Sequence, residues 1–269
     1  MQLKQIKIIT ILTIILSISL AIVSYFGAFV SSTYSRDSIS MGVQGMGQDI
    51  VDLFIVVPLL ILSLVFVRKG KINSYFIFSG ILFYVLYSFF IYSFGVHFNN
   101  LFLLYCLTLG TSLYTFIIMI VQLSKIDIQN NITSKAPLKA IGIFFIIIAA
   151  MFYMLWLKDI VPAILHNSVP SEVGENSLQV NPVHVLDISI ALPGLIITAV
   201  LLLKKQKLGF IFTPVFLVFI IILAIALIGM VLMLKLKGLN DDISISVIFS
   251  LLAIISSIFL IKFFKSIKN

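Results

Sequence analysis

"NPVHVLDISIALPGLIITAVLLLK" occupies residues 181–204. It leaves a polar loop, passes His184 and Asp187, and then carries no charged residue until Lys204. A helix rising about 1.5 Å per residue needs about 20 such residues to cross the roughly 30 Å hydrocarbon layer of a bilayer. Stretches of the same kind lie near 8–30, 50–67, 74–94, 101–123, 138–157, 184–203, 209–234 and 243–261. Most separators are short, as in "VRKGKIN" and "LKKQK", while longer polar stretches, 31–49 and 158–183, follow the first and fifth spans.

The composition agrees. Of 269 residues, 61% are hydrophobic and 10% charged, with a mean hydropathy of +1.22. A soluble domain is about a quarter charged. The expected class is therefore an all-α integral membrane protein of eight transmembrane helices, with the lipid bilayer as its first partner. The apolar core at 8–30 exceeds the roughly 7–15 residues of a signal peptide's apolar region, so it reads as a retained first span. Cys106, the single cysteine, sits in an apolar run and reads as packing.

Charge placement gives an orientation. With the N-terminus inside, the inner segments hold Lys4 and Lys7; Arg68, Lys69 and Lys71; Lys125, Lys135 and Lys139; Lys204, Lys205 and Lys207; and Lys262, Lys265 and Lys268. These are 14 of the 18 basic residues, with Asp127 the one acid among them. The outer segments hold Arg36, Lys158, Lys235 and Lys237 against nine acids. Both termini are expected in the cytoplasm of a multi-pass plasma-membrane protein. The net charge of +8 then reflects membrane anchoring, with no nucleic-acid partner.

A shift of 135 residues lays "DLFIVVPLLILSLVFVRK" (52–69) on "DISIALPGLIITAVLLLK" (187–204) without a gap, aligning Asp52 with Asp187, Pro58 with Pro193 and Lys69 with Lys204. Each of these residue types is uncommon in a span, so the register points to two four-helix repeats, 1–130 and 131–269. Because each half has an even number of spans, the repeats would be parallel, related by an axis along the membrane normal.

Asn181 suits a helix N-cap and Pro182 the first helical position. His184 and Asp187, three apart, share a helix face. Ionisable residues inside spans tend to face the bundle interior and mark function. Pro58 and Pro193 each remove a backbone bond, to the carbonyls of Phe54 and Ser189, so a kink is expected beside each aspartate. Paired interruptions in two halves mark binding sites in transporters. The candidate ligand-binding residues are Asp52, Asp187, His184 and Asp49, with Pro58 and Pro193 as kinks.

A metal site would draw on His184, Asp187, His97 and His166, all placed outside, although their spacing matches no established metal motif. No nucleophile elbow, H-E-x-x-H, phosphate-binding glycine loop or C-x-x-C occurs, so no cofactor or reaction is named. "GVQGMGQD" (42–49) reads as a flexible lead-in to the second span. Trp156 and Lys158 read as an interfacial anchor. Tyr84, Tyr87, Tyr92, Tyr105 and Tyr114 read as aromatic packing, and Glu172 and Glu175 as solvated.

The segment 181–210, with its N-P-V-H-V-L-D start and its L-P step at 192–193, resembles a family of uncharacterised bacterial polytopic membrane proteins. The resemblance implies membrane residence and no activity, and the Ile, Lys and Asn usage suits a low-GC bacterium. The leading expectation is binding or transport of a small polar or cationic solute at an outer-leaflet site between the halves. The alternatives are a membrane-embedded, metal-dependent enzyme or sensor, and a partner subunit, scaffold or homo-oligomer with no site of its own.

Overall fold

A computed structural model describes residues 3–133, 136–240 and 242–267. Lys135, Lys268 and Asp241, used above for orientation, lie outside the described residues. Among the described residues, eight helices are long and apolar enough to cross a membrane: Lys4–Phe29, Ile39–Arg68, Ile72–Gly95, Phe102–Leu123, Leu138–Leu165, Pro182–Leu203, Lys207–Leu236 and Ser244–Lys265. The one β feature among them is an isolated bridge between Ile132 and Ile267.

The chain forms two compact units. The first holds the residues up to Ile126 together with Pro214–Phe264, and the second holds Asp127–Thr213 with the residues from Lys265 onward. In the first unit, α1 (Leu3–Phe29), α2 (Ile39–Val51), α3 (Val57–Arg68), α4 (Ile72–Gly95) and α5 (Phe102–Leu123) pack together. Helix α4 is the most enclosed, burying Phe76, Phe78, Ile81, Leu82 and Tyr84. The short α6 (Ile128–Asn131) opens the second unit, in which α7 (Leu138–Leu165) packs on α10 (Leu192–Leu203), with α8 (Ser171–Glu175) and α9 (Pro182–Leu186) between them in sequence. Then come α11 (Lys207–Leu236) and α12 (Ser244–Lys265).

The second span starts earlier than its apolar run suggests. Ser38 caps α2, its hydroxyl accepting the Met41 N–H at 3.2 Å, so residues 42–49 are helical and not a flexible lead-in. The glycines there serve close approach. A Cβ on Gly47 would lie 2.6 Å from the Gly229 carbonyl oxygen, so α2 and α11 meet backbone to backbone. Lipid supplies no hydrophobic drive between helices, and small residues at crossings let van der Waals packing replace it.

The helices take a defined form just before each proline. Asp52–Val56 and Asp187–Ala191 are single π-helical turns, each ending just before the residue that precedes the proline. The Val57 N–H donates to the Asp52 carbonyl, and the Leu192 N–H to the Asp187 carbonyl, five residues back instead of four. Such a bulge absorbs the missing proline donor without ending the helix.

The two π-turn helices share more than this. Asp52, Val56, Leu60, Ser63, Leu64 and Val67 are buried, and so are Asp187, Ala191, Leu195, Thr198, Ala199 and Leu202 at the same spacing. Both helices end in a left-handed residue, Gly70 at φ 72° and Lys205 at φ 53°. The closing bonds match as well: the Lys71 N–H donates to the Phe66 carbonyl at 3.3 Å, and the Gln206 N–H to the Leu201 carbonyl at 2.8 Å. A side chain in the left-handed region costs roughly 1–2 kcal/mol, which glycine avoids. Lys205→Gly is therefore expected to raise stability by about 1 kcal/mol and Gly70→Ala to lower it by a similar amount. Thermal unfolding of both variants in detergent checks this.

Candidate functional site

Asp49 and Asp52 lie one turn apart on the same helical face, where α2 passes into its π-turn, and both are buried. Counting from Arg68, Asp52 stands about 24 Å along the axis, within the apolar thickness and far from the basic end of the helix. A carboxylate at that depth needs hydrogen-bond donors, a counter-charge or a proton.

Tyrosines supply the donors. The Tyr92 hydroxyl, from α4, donates to Asp49 Oδ1 at 3.1 Å. The Tyr34 hydroxyl, from the loop between α1 and α2, donates to Asp49 Oδ2. One helical turn pair below Tyr92 on α4, the Tyr84 hydroxyl donates to Asp52 Oδ1 at 2.8 Å. Asp52 Oδ2 is buried and has no hydrogen-bond partner among the described residues. The Gln48 side chain, also buried, neighbours Asp52, and Oδ2 still has no partner within hydrogen-bond range among the described residues.

Helix α1 leaves room for this cluster at one residue. A Cβ built on Gly27 would overlap the Asp49 carboxylate and lie 2.7 Å from the Tyr34 hydroxyl. Ser24, one turn earlier and fully buried, presents its hydroxyl on the same side. The loop carrying Tyr34 is tied down by polar contacts. His97 Nδ1 and the His97 N–H both lie 2.9 Å from Asp37 Oδ1, Arg36 donates to the Phe98 carbonyl at 2.7 Å, and Asn99 donates to the Thr33 carbonyl at 3.2 Å. Burial, and after it the Asp49 charge, push the Tyr34 phenol well above its ordinary value, so it remains a donor across the physiological range.

The second unit holds a separate cluster. Asn181 caps α9 through the Val183 N–H at 2.9 Å, with Pro182 in the first turn. His184 and Asp187 are both buried. The Trp156 indole N–H, from α7, donates to Asp187 Oδ2 at 2.8 Å, and the Trp156 ring lies 4.6 Å from the His184 ring. His184 Nε2 lies 3.7 Å from the exposed Glu172 carboxylate, beyond hydrogen-bond range.

Several residues thus take roles that their spacing does not announce. Trp156, expected to anchor at an interface, serves Asp187. Tyr84 and Tyr92, expected to pack, donate to carboxylates; Tyr105 meets Asn99, and Tyr114 is exposed. The histidines go three ways: His97 to Asp37, His166 to the Pro162 carbonyl at 2.8 Å, and His184 to Trp156. Among the described residues, no group of three His, Cys, Asp or Glu side chains comes together to hold a metal ion.

Tyr84→Phe removes the hydrogen bond that the Tyr84 hydroxyl donates to the Asp52 carboxylate. It is expected to cost about 1–3 kcal/mol of stability, whereas Tyr114→Phe on the exposed face costs close to nothing. Chemical or thermal denaturation of the two variants side by side checks the difference.

Comparison with family models, with curated proteins and with solved structures finds no match to this chain.

Proposed function

We propose that this protein is a plasma-membrane carrier or binder of small cations, with both ends cytoplasmic, descended by duplication from a four-helix unit. The Asp49–Asp52 cluster is its cation site, and the His184–Asp187 cluster is the diverged counterpart. One observation carries the reading: two buried carboxylates lie a turn apart inside a span, and among the described residues no lysine, arginine or histidine bonds to either. Two charges held that way in a low-dielectric interior repel each other and lose their hydration, so an external positive charge is needed to balance them.

The duplication is supported by the 135-residue register, which aligns the aspartates, the π-turns, the buried faces and the left-handed terminal residues. It aligns Asp49 with His184, so the second cluster carries an imidazole where the first carries a carboxylate. An imidazole in the place of a carboxylate leaves one carboxylate there instead of two, which fits one principal site and one weaker one. Bulges of this kind recur at functional sites, which supports placing the site at the level of the π-turns.

The test uses purified protein in liposomes. Sodium and rubidium tracers and an internal pH dye report whether any of these ions binds or crosses. Wild type is expected to act on at least one. Asp49→Asn combined with Asp52→Asn should lose that response entirely, and Asp187→Asn should keep at least a third of it. Equal responses from wild type and the Asp49/Asp52 double variant would end the proposal.

A further inference from the structure

The balancing charge can be placed on a single atom. Four carboxylate oxygens make up the Asp49–Asp52 pair. Asp49 Oδ1 accepts from Tyr92, Asp49 Oδ2 from Tyr34, and Asp52 Oδ1 from Tyr84. Among the described residues only Asp52 Oδ2 of these four has no hydrogen-bond partner, in a residue that is 1% exposed. We infer that Asp52 Oδ2 holds an exchangeable proton, so that the cation this site binds is a proton. The inference rests on the cation-site reading above and narrows it.

The surroundings favour a proton over a metal ion. Hard cations take six or more oxygen ligands, or keep several of their own waters. Here the tyrosine hydroxyls point their hydrogens at the carboxylates, which is the arrangement for holding an anion. A metal would require those hydroxyls to turn away, and Gly27 packs against Asp49 where further ligands would stand. A proton needs no such space. It bonds to Asp52 Oδ2 to give a neutral carboxylic acid, leaving Asp49 as the charged partner with two donors. Gln48 suits both states, since an amide can donate to the carboxylate or accept from the acid.

The groups facing this proton are few. Asp49 and Gln48 come from the same helix, Tyr84 and Tyr92 from α4, and Tyr34 reaches the pair through Asp49. Ser24 from α1 and Ser88 beside Tyr84 complete the polar shell, and neither carries a charge. Binding and release are then simple transfers. A water-borne proton adds to Asp52 Oδ2, and on release the same O–H bond breaks and returns it to water, with no other bond changed.

Infrared difference spectroscopy of the full chain in lipid nanodiscs, titrated with pH, reads the protonated carboxyl directly. Carbon-13 labelling of aspartate identifies the band. The expected result is a labelled, protonated-carboxyl band at neutral pH that is lost in Asp52→Asn, retained in Asp49→Asn and shifted in Tyr84→Phe. Sodium, potassium and calcium should leave it unchanged. Loss of the band in Asp49→Asn but not in Asp52→Asn would overturn the assignment to Asp52. If wild type shows no such band while added sodium or calcium raises its melting temperature through the Asp49–Asp52 pair, the proton is overturned and the cation site stands. Absence of both responses would overturn the two together. The labelled wild-type titration decides these last outcomes even where a variant fails to fold.

Discussion

A carboxylate inside a lipid-embedded helix bundle has lost its water and must be compensated by donors, a counter-charge or a proton. The first unit carries two such groups, Asp49 and Asp52, and much of its polar architecture follows from them. Tyr92 and Tyr84 on α4 are spaced so that their hydroxyls meet successive turns of the neighbouring helix. Gly27 opens α1 at the level of Asp49. The loop bearing Tyr34 is fastened by Asp37–His97, Arg36–Phe98 and Thr33–Asn99, contacts that hold a donor over the pair. Removing the aspartates would leave these features without a common purpose.

The π-turns belong to the same arrangement. A proline six residues after an aspartate takes one donor from the helix, and the bulge returns the helix to register without breaking it. It also places the aspartate at the start of the irregular turn, where its own carbonyl accepts the five-residue bond. The second unit repeats this around Asp187, but its donor is the Trp156 indole from α7 in place of a tyrosine from the following helix. The backbone device is the same in both units, and the side chains that surround it differ.

Much of the fold was legible in the sequence because membrane thickness dictates a length and composition that can be read one stretch at a time. The eight spans fall close to their expected places, and Asp52, Asp187, Pro58 and Pro193 stand out as rare residue types in apolar runs. The start of α2 was hidden because a glycine-rich polar stretch looks like a loop until its contact with Gly229 is known. The tyrosines were hidden for a different reason. Tyr84 lies 32 residues from its aspartate, while Tyr34 and Tyr92 lie 15 and 43 residues from theirs, and no local pattern encodes those pairings. Trp156 carried the composition of an interface anchor, and only its packing against α9 and the π-turn reveals the bond to Asp187.

A charge-replacement experiment bears most directly on the Asp49–Asp52 pair. Gln48 is buried beside the Asp52 carboxylate, and Lys and Met are close in length, so Gln48→Lys and Gln48→Met differ chiefly in one positive charge. Melting temperatures of the two proteins in detergent at neutral pH measure what that charge does. If the Asp49–Asp52 pair needs an external cation, the lysine protein will melt higher than the methionine protein, and its melting temperature will respond less to pH. A lysine protein that melts at or below the methionine protein would show that the pair needs no compensating charge, and would contradict the account.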